Sequence, residues 1–77
     1  MVRRYLQWYS KDTEFSVGQE NLKDFELNQL QKLFGVPSDD PMYDCWEVND
    51  VHLSELQKHV DHRINLAKYS YFIEASG

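Results

Sequence analysis

Residues 2–9, VRRYLQWY, alternate with the period of a β-strand. Successive side chains of a strand point to opposite sides, so Val2, Arg4, Leu6 and Trp8 share one face and Arg3, Tyr5, Gln7 and Tyr9 the other. The first set is the more apolar and predicts the core face, which turns Tyr5 and Tyr9 outward. A polar turn at residues 10–13 leads into a second strand over residues 14–20, containing Phe15 and Val17 and weakened by Gly18. From about Asp24 the period changes. Leu27, Leu30 and Phe34, with Leu33 beside them, fall at helical spacing, and Asn21 or Asp24 can cap the first amides. Gly35 followed by Pro37 is a strong helix stop.

The next segment, VPSDDPMYDCWEVND, is the least conventional in the chain. Its two prolines cannot donate to a sheet ladder, so it begins as loop or sheet edge. Residues 42–48 then read as a third strand, with Met42, Asp44, Trp46 and Val48 on one face and Tyr43, Cys45 and Glu47 on the other. Neither face is purely apolar. Aromatics and a cysteine among three acids make a poor core strand and a reasonable recognition strand. Asn49 or Asp50 then caps a second short helical segment in which Leu53, Leu56 and Val60 share a face. Residues 62–76 predict a hairpin turning at Ala67 and Lys68, with Tyr69, Tyr71, Ile73 and Ala75 opposite Ser70, Phe72 and Glu74. The pattern as a whole predicts a single α+β domain over residues 1–77, a small antiparallel sheet of about four short strands with one or two short helices on one face.

Seventy-seven residues hold one modest core and leave little room for a deep catalytic cleft. One cysteine excludes an internal disulfide framework and points to a reducing compartment. The start MVRRYLQWYS carries no apolar run, so neither a signal peptide nor a membrane span is expected, and a cytoplasmic location is. The net charge of −5 is unevenly spread: residues 12–50 hold ten acids against two bases, whereas residues 51–77 balance three against three. An acidic field of this kind repels nucleic acid and membrane surfaces and steers basic proteins inward, although acids also serve solubility alone.

Catalytic and metal chemistry find little purchase. His52, His59, Asp61 and His62 match no structural zinc spacing, and the three glycines stand apart with no phosphate-binding loop. Neither metal nor cofactor is expected, and the chain does not read as an enzyme. Cys45 has no adjacent His or Lys to lower its thiol pKa, so a packed contact is the expected role. The outward aromatics say more, since exposed aromatics beside charge are the usual makeup of binding hot spots.

Several blocks, in order and spacing, resemble the cloacin and colicin immunity proteins. They are Trp8-Tyr9, the run Lys11-Asp12-Thr13-Glu14-Phe15, Gly35-Val36-Pro37, Cys45-Trp46-Glu47-Val48, His62-Arg63-Ile64 and Tyr71-Phe72. The resemblance implies a curved, mostly four-stranded antiparallel sheet whose open face binds the basic ribonuclease domain of a cognate toxin. Position by position it implies toxin contacts at Tyr9, Phe15, Cys45, Trp46, Glu47 and Phe72. The acidic loop residues Asp39 and Asp40 and the outward Tyr43 join them as candidates from the residues alone. Alternation agrees for Tyr9, Cys45, Glu47 and Phe72 but turns Trp46 away from Cys45, which requires a bulge or places Trp46 in the core. Tyr9 and Trp46 stand where the family carries phenylalanine, and the family's acidic aromatic C-terminal extension has no counterpart. The expected function is neutralisation of a basic nuclease toxin, with an acidic adaptor for another basic protein as the alternative.

Overall fold

The computed structural model describes residues 3–76, so the expected placement of Val2 on the core face lies outside the described residues. Strand β1 (Arg3–Ser10) pairs on one side with β2 (Ser16–Asn21) and on the other with β4 (Tyr69–Ser76), and β4 carries the short edge strand β3 (Trp46–Glu47). The result is a four-stranded antiparallel sheet in the order β2-β1-β4-β3. Helix α1 (Leu27–Phe34) and helix α2 (Leu53–Leu56), the latter flanked by 3-10 turns at Asp50–His52 and Gln57–His59, complete the α+β fold.

The alternation of β1 and β4 decides the core. Leu6 lies opposite Ile73 and Trp8 opposite Tyr71, and Leu6, Tyr71 and Ile73 are fully buried with Leu30 of α1 and Leu56 of α2. Met42, Val48 and Val60 close the same cluster. Both helices therefore cover one face of the sheet, as the apolar spacing of Leu27, Leu30, Leu53 and Leu56 anticipates.

Helix α1 stops as expected, with Gly35 in the left-handed region at φ 67° and its N–H bonded to the Gln31 carbonyl. Its start differs. The N-cap is Glu26, whose N–H donates to Gln29 Oε1 at 2.7 Å, while Asp24 sits in the left-handed region at φ 54°, two residues before the cap. The second helical segment is capped by Asn49, whose N–H donates to His52 Nδ1 at 3.0 Å.

Strand β2 is shorter than expected because Glu14 adopts φ 63° to close the turn, its N–H donating to the Ser10 carbonyl at 2.7 Å. The ladder then slips by one residue between Trp8 and Tyr9, leaving Val17 as the extra residue of a bulge. Gly18 is a requirement of packing rather than a weakness, since a Cβ there would lie 2.6 Å from the Trp8 ring. The indole rests flat over the bare glycine and stacks on His62 with ring centroids 3.9 Å apart.

Two strand expectations are overturned. The strand over residues 42–48 contracts to Trp46–Glu47 because Met42 adopts φ 53°. Its N–H donates to Asp40 Oδ1 at 2.8 Å, and its side chain drops into the core, 1% exposed. The loop before it is held from the helix side, by Gln31 Nε2 donating to the Ser38 and Asp40 carbonyls and Arg4 Nη2 donating to the Pro41 carbonyl. The hairpin over residues 62–76 is also absent: only β4 forms. The chain before it spends its backbone groups on side chains, with Asp61 and His62 N–H donating to Glu20, Ile64 N–H to Gln57 Oε1 and Asn65 N–H to the Tyr71 hydroxyl. With these amides committed to side chains, the segment does not sustain a regular ladder.

Candidate functional site

Among the described residues no helix lies on the other side of the sheet. Its residues follow from the register: Tyr5 faces Glu74, Gln7 faces Phe72, Tyr9 faces Ser70, and Glu47 flanks Phe72 from the edge strand. Tyr9 and Phe72 meet edge to face with centroids 5.8 Å apart. The Tyr9 hydroxyl donates to Glu74 Oε2 at 3.1 Å. That bond joins positions two cross-strand rows apart, so it arches over the row of Gln7 and Phe72. The arch explains an otherwise odd burial, since Gln7 is only 8% exposed on a face that no other element covers.

The Gln7 amide is oriented by β2. Its Nε2 donates to the Gly18 carbonyl at 3.2 Å and to Ser16 Oγ. A carbonyl can only accept, so the nitrogen must lie on the β2 side, and the amide oxygen is left as an acceptor on the β4 side. Beyond Tyr9 the surface opens into a cavity of about 600 Å³ lined by Tyr9, Ser10, Lys11, Glu14, Cys45, Ser70 and Phe72.

The electrostatics of this face follow from the single carboxylate at its centre. Partial burial and then the neighbouring Glu74 push the Tyr9 phenol up from its ordinary value, so it stays a neutral donor at physiological pH. Local desolvation, followed by the charge of Glu74, also pushes the Cys45 thiol up although the residue as a whole is exposed. The thiol is thereby disfavoured as a nucleophile. Arg3 places its guanidinium 4.4 Å above the Tyr5 ring at the end of the same face.

Of the candidate residues, the fold brings Tyr9, Cys45, Glu47 and Phe72 together on the open face. Phe15 stands at the end of the β1–β2 hairpin, 75% exposed. Trp46 faces the helices: it lies opposite the buried Ile73, and its ring meets Phe34 edge to face. Of the two alternatives, an outward-turning bulge or a core position, the core position holds. Asp39, Asp40 and Tyr43 belong to the loop held from the helix side. Asp40 is occupied in bonding the Met42 N–H, and Arg4, a helix-side residue, reaches toward the Tyr43 ring at 6.0 Å. Glu74 and Gln7 were missed as site residues. Alternation does place Glu74 beside Phe72, but its bond to Tyr9 depends on a register that no local pattern reveals.

The histidines are structural. His62 Nε2 lies 2.7 Å from the Tyr71 hydroxyl, which also accepts from Asn65 N–H, and burial holds the His62 imidazole below its ordinary pKa. His52 stacks on Phe34 and His59 on Phe25, each with centroids 4.1 Å apart. Among the described residues no group of His, Cys, Asp and Glu could hold a metal ion, and no helix is long and apolar enough to cross a membrane.

Fold and face together define a small sheet-and-helix domain with one packed and one bare sheet surface. The chain belongs to the family described as Domain of unknown function (DUF7683), which it matches over residues 3–74.

Proposed function

We propose that this chain is an immunity-type inhibitor that binds a basic nuclease toxin domain on its open sheet face and keeps that domain from its RNA substrate. The observation that carries this reading is the bare face itself. Tyr9, Phe72, Glu47 and Glu74 are gathered on the sheet, with Cys45 beside them, and among the described residues no helix lies over them. Aromatic anchors around a carboxylate, on strands rather than loops, form a preorganised protein-binding surface, and such surfaces owe most of their affinity to a few central aromatics. The acidic balance of residues 12–50 favours a basic partner and hastens its arrival. The resemblance to bacteriocin immunity proteins points to the same face and the same kind of partner.

The test is to express a basic ribonuclease toxin domain encoded beside this chain, with and without the chain, scoring growth and ribosomal RNA integrity. Growth arrest and RNA cleavage relieved by the chain, and restored by Phe72→Ala, are the expected result. Arrest that persists while the inhibitor is present and folded overturns the reading.

A further inference from the structure

We infer that the open face takes an arginine side chain of its partner, with the guanidinium against the Glu74 carboxylate and beside the Tyr9 and Phe72 rings. This rests on the open face being the surface offered to a basic protein, and it names the group that the face recognises. The centre of the face is built of acceptors. Glu74 Oε2 already receives the Tyr9 hydroxyl, and the other carboxylate oxygen meets no donor among the described residues. Gln7 has both amide hydrogens committed to β2 and presents only its oxygen. The Tyr9 hydroxyl is spent on Glu74. A carboxylate or phosphate from a partner would meet the negative charge of Glu74 here.

A guanidinium fits because it has five donors and no acceptor, is planar enough to lie on an aromatic ring, and binds carboxylates with two parallel bonds. The chain supplies its own precedent one row away, where the Arg3 guanidinium rests on Tyr5, the residue opposite Glu74. An ammonium carries the same charge but neither stacks nor forms the paired bonds, so arginine is favoured over lysine. A guanidinium offers the carboxylate a full opposite charge and two parallel bonds against the single bond of the Tyr9 hydroxyl, which lets the incoming group displace that hydroxyl from Oε2.

The probe is methylguanidinium chloride, titrated into isotopically labelled protein at constant ionic strength and followed by NMR, with methylammonium chloride and sodium acetate in parallel. Saturable shifts at the Gln7 amide, the Tyr9 and Phe72 rings and the Glu74 carboxyl are expected, stronger for methylguanidinium than for methylammonium and absent with acetate. Glu74→Gln should weaken the interaction about tenfold, the loss of a charged hydrogen bond. Glu47→Gln, the same charge change on the same face, should leave it nearly unaltered. Thermal melts establish that both variants fold, and Glu74→Asp, which keeps the charge but withdraws it by one methylene, should also weaken binding. Shifts that rise linearly without saturating, that centre on Asp39, or that fall equally in Glu74→Gln and Glu47→Gln overturn the inference. The measurement needs no toxin: saturable binding without rescue of growth removes only the nuclease reading, and rescue without guanidinium binding removes only this one.

Discussion

The two faces of the sheet carry similar residues and do opposite things. On the helix side Leu6, Tyr71 and Ile73 are sealed under Leu30 and Leu56, and even the polar tip of Tyr71 is satisfied by Asn65 and His62. On the open side Tyr5, Tyr9 and Phe72 are only partly covered, and a polar bridge arches between them from Tyr9 to Glu74. An aromatic in a strand is thus not a core residue by its nature. It becomes one when a helix arrives to cover it, and where none does, the same side chain is left for a partner.

The sharpest way to break this contrast is to truncate one residue on each side. Leu6→Ala removes a fully buried side chain and should cost about 3 to 5 kcal/mol. That is comparable to the whole stability of a domain this small, so urea titration should find the variant largely unfolded at room temperature. Phe72→Ala on the opposite face should still melt cooperatively.

Phe72→Ala and Tyr9→Ala should instead lose about 2 to 4 kcal/mol of affinity for the partner, against less than about 1 kcal/mol for Asp39→Ala. Titration calorimetry on the three variants decides whether the binding energy sits on the open face. Affinities unchanged in both aromatic variants would move the interface to the helix-side loop. Asp40→Ala is a poor comparison, because Asp40 holds the Met42 backbone and its loss would disturb the core.

Gly18→Ala probes the packed side from the backbone. The new Cβ would press into the Trp8 ring and disturb its stack on His62, costing about 1 to 3 kcal/mol, as overpacking usually does. A fall in melting temperature with unchanged affinity is expected. A melting temperature equal to the parent's would show that Trp8 moves aside freely.

The smallest effect is on pH. Burial holds the imidazoles of His52 and His62 below their ordinary value, only partly opposed by Asp50 and Glu20 respectively. Between the lowered folded value and the ordinary value of about 6.5, the unfolded chain binds more protons than the folded one, so stability must rise with pH across that window. It is fully present above the window and lost as pH falls through it. Melting temperatures from pH 7.5 down to pH 5 should decline, with His62→Gln shallower than the parent, whereas the open face, lacking a histidine, should show no such step. A flat profile would mean that His62 is protonated without disturbing Tyr71.

Much of this architecture is legible in one dimension. Alternation in residues 3–9 and 69–75 assigns both faces of the central strands correctly, because a strand's side-chain period is two whatever it pairs with. The helix over Leu27–Phe34 and its stop at Gly35 follow from spacing and from the conformational freedom of glycine, both local. The same locality explains the failures. The third strand looked long because Met42 and Tyr43 have strand propensity, yet Asp40 and the core fix Met42 at a positive φ, a decision made across the fold. The hairpin before β4 looked reasonable until Glu20 and Gln57, distant in sequence, claimed its amides.

The candidate site divides along the same line. That Tyr9, Glu47 and Phe72 point away from the core was determined by the sequence, through alternation alone. That they stand in adjacent rows, that Tyr9 reaches Glu74 over Gln7, and that Trp46 and Asp40 belong to the other side were decided only by the pairing register of β1, β4 and β3. Register is set by which long-range contacts bury the most apolar surface and satisfy the most backbone groups, and that sum is taken over the whole chain at once.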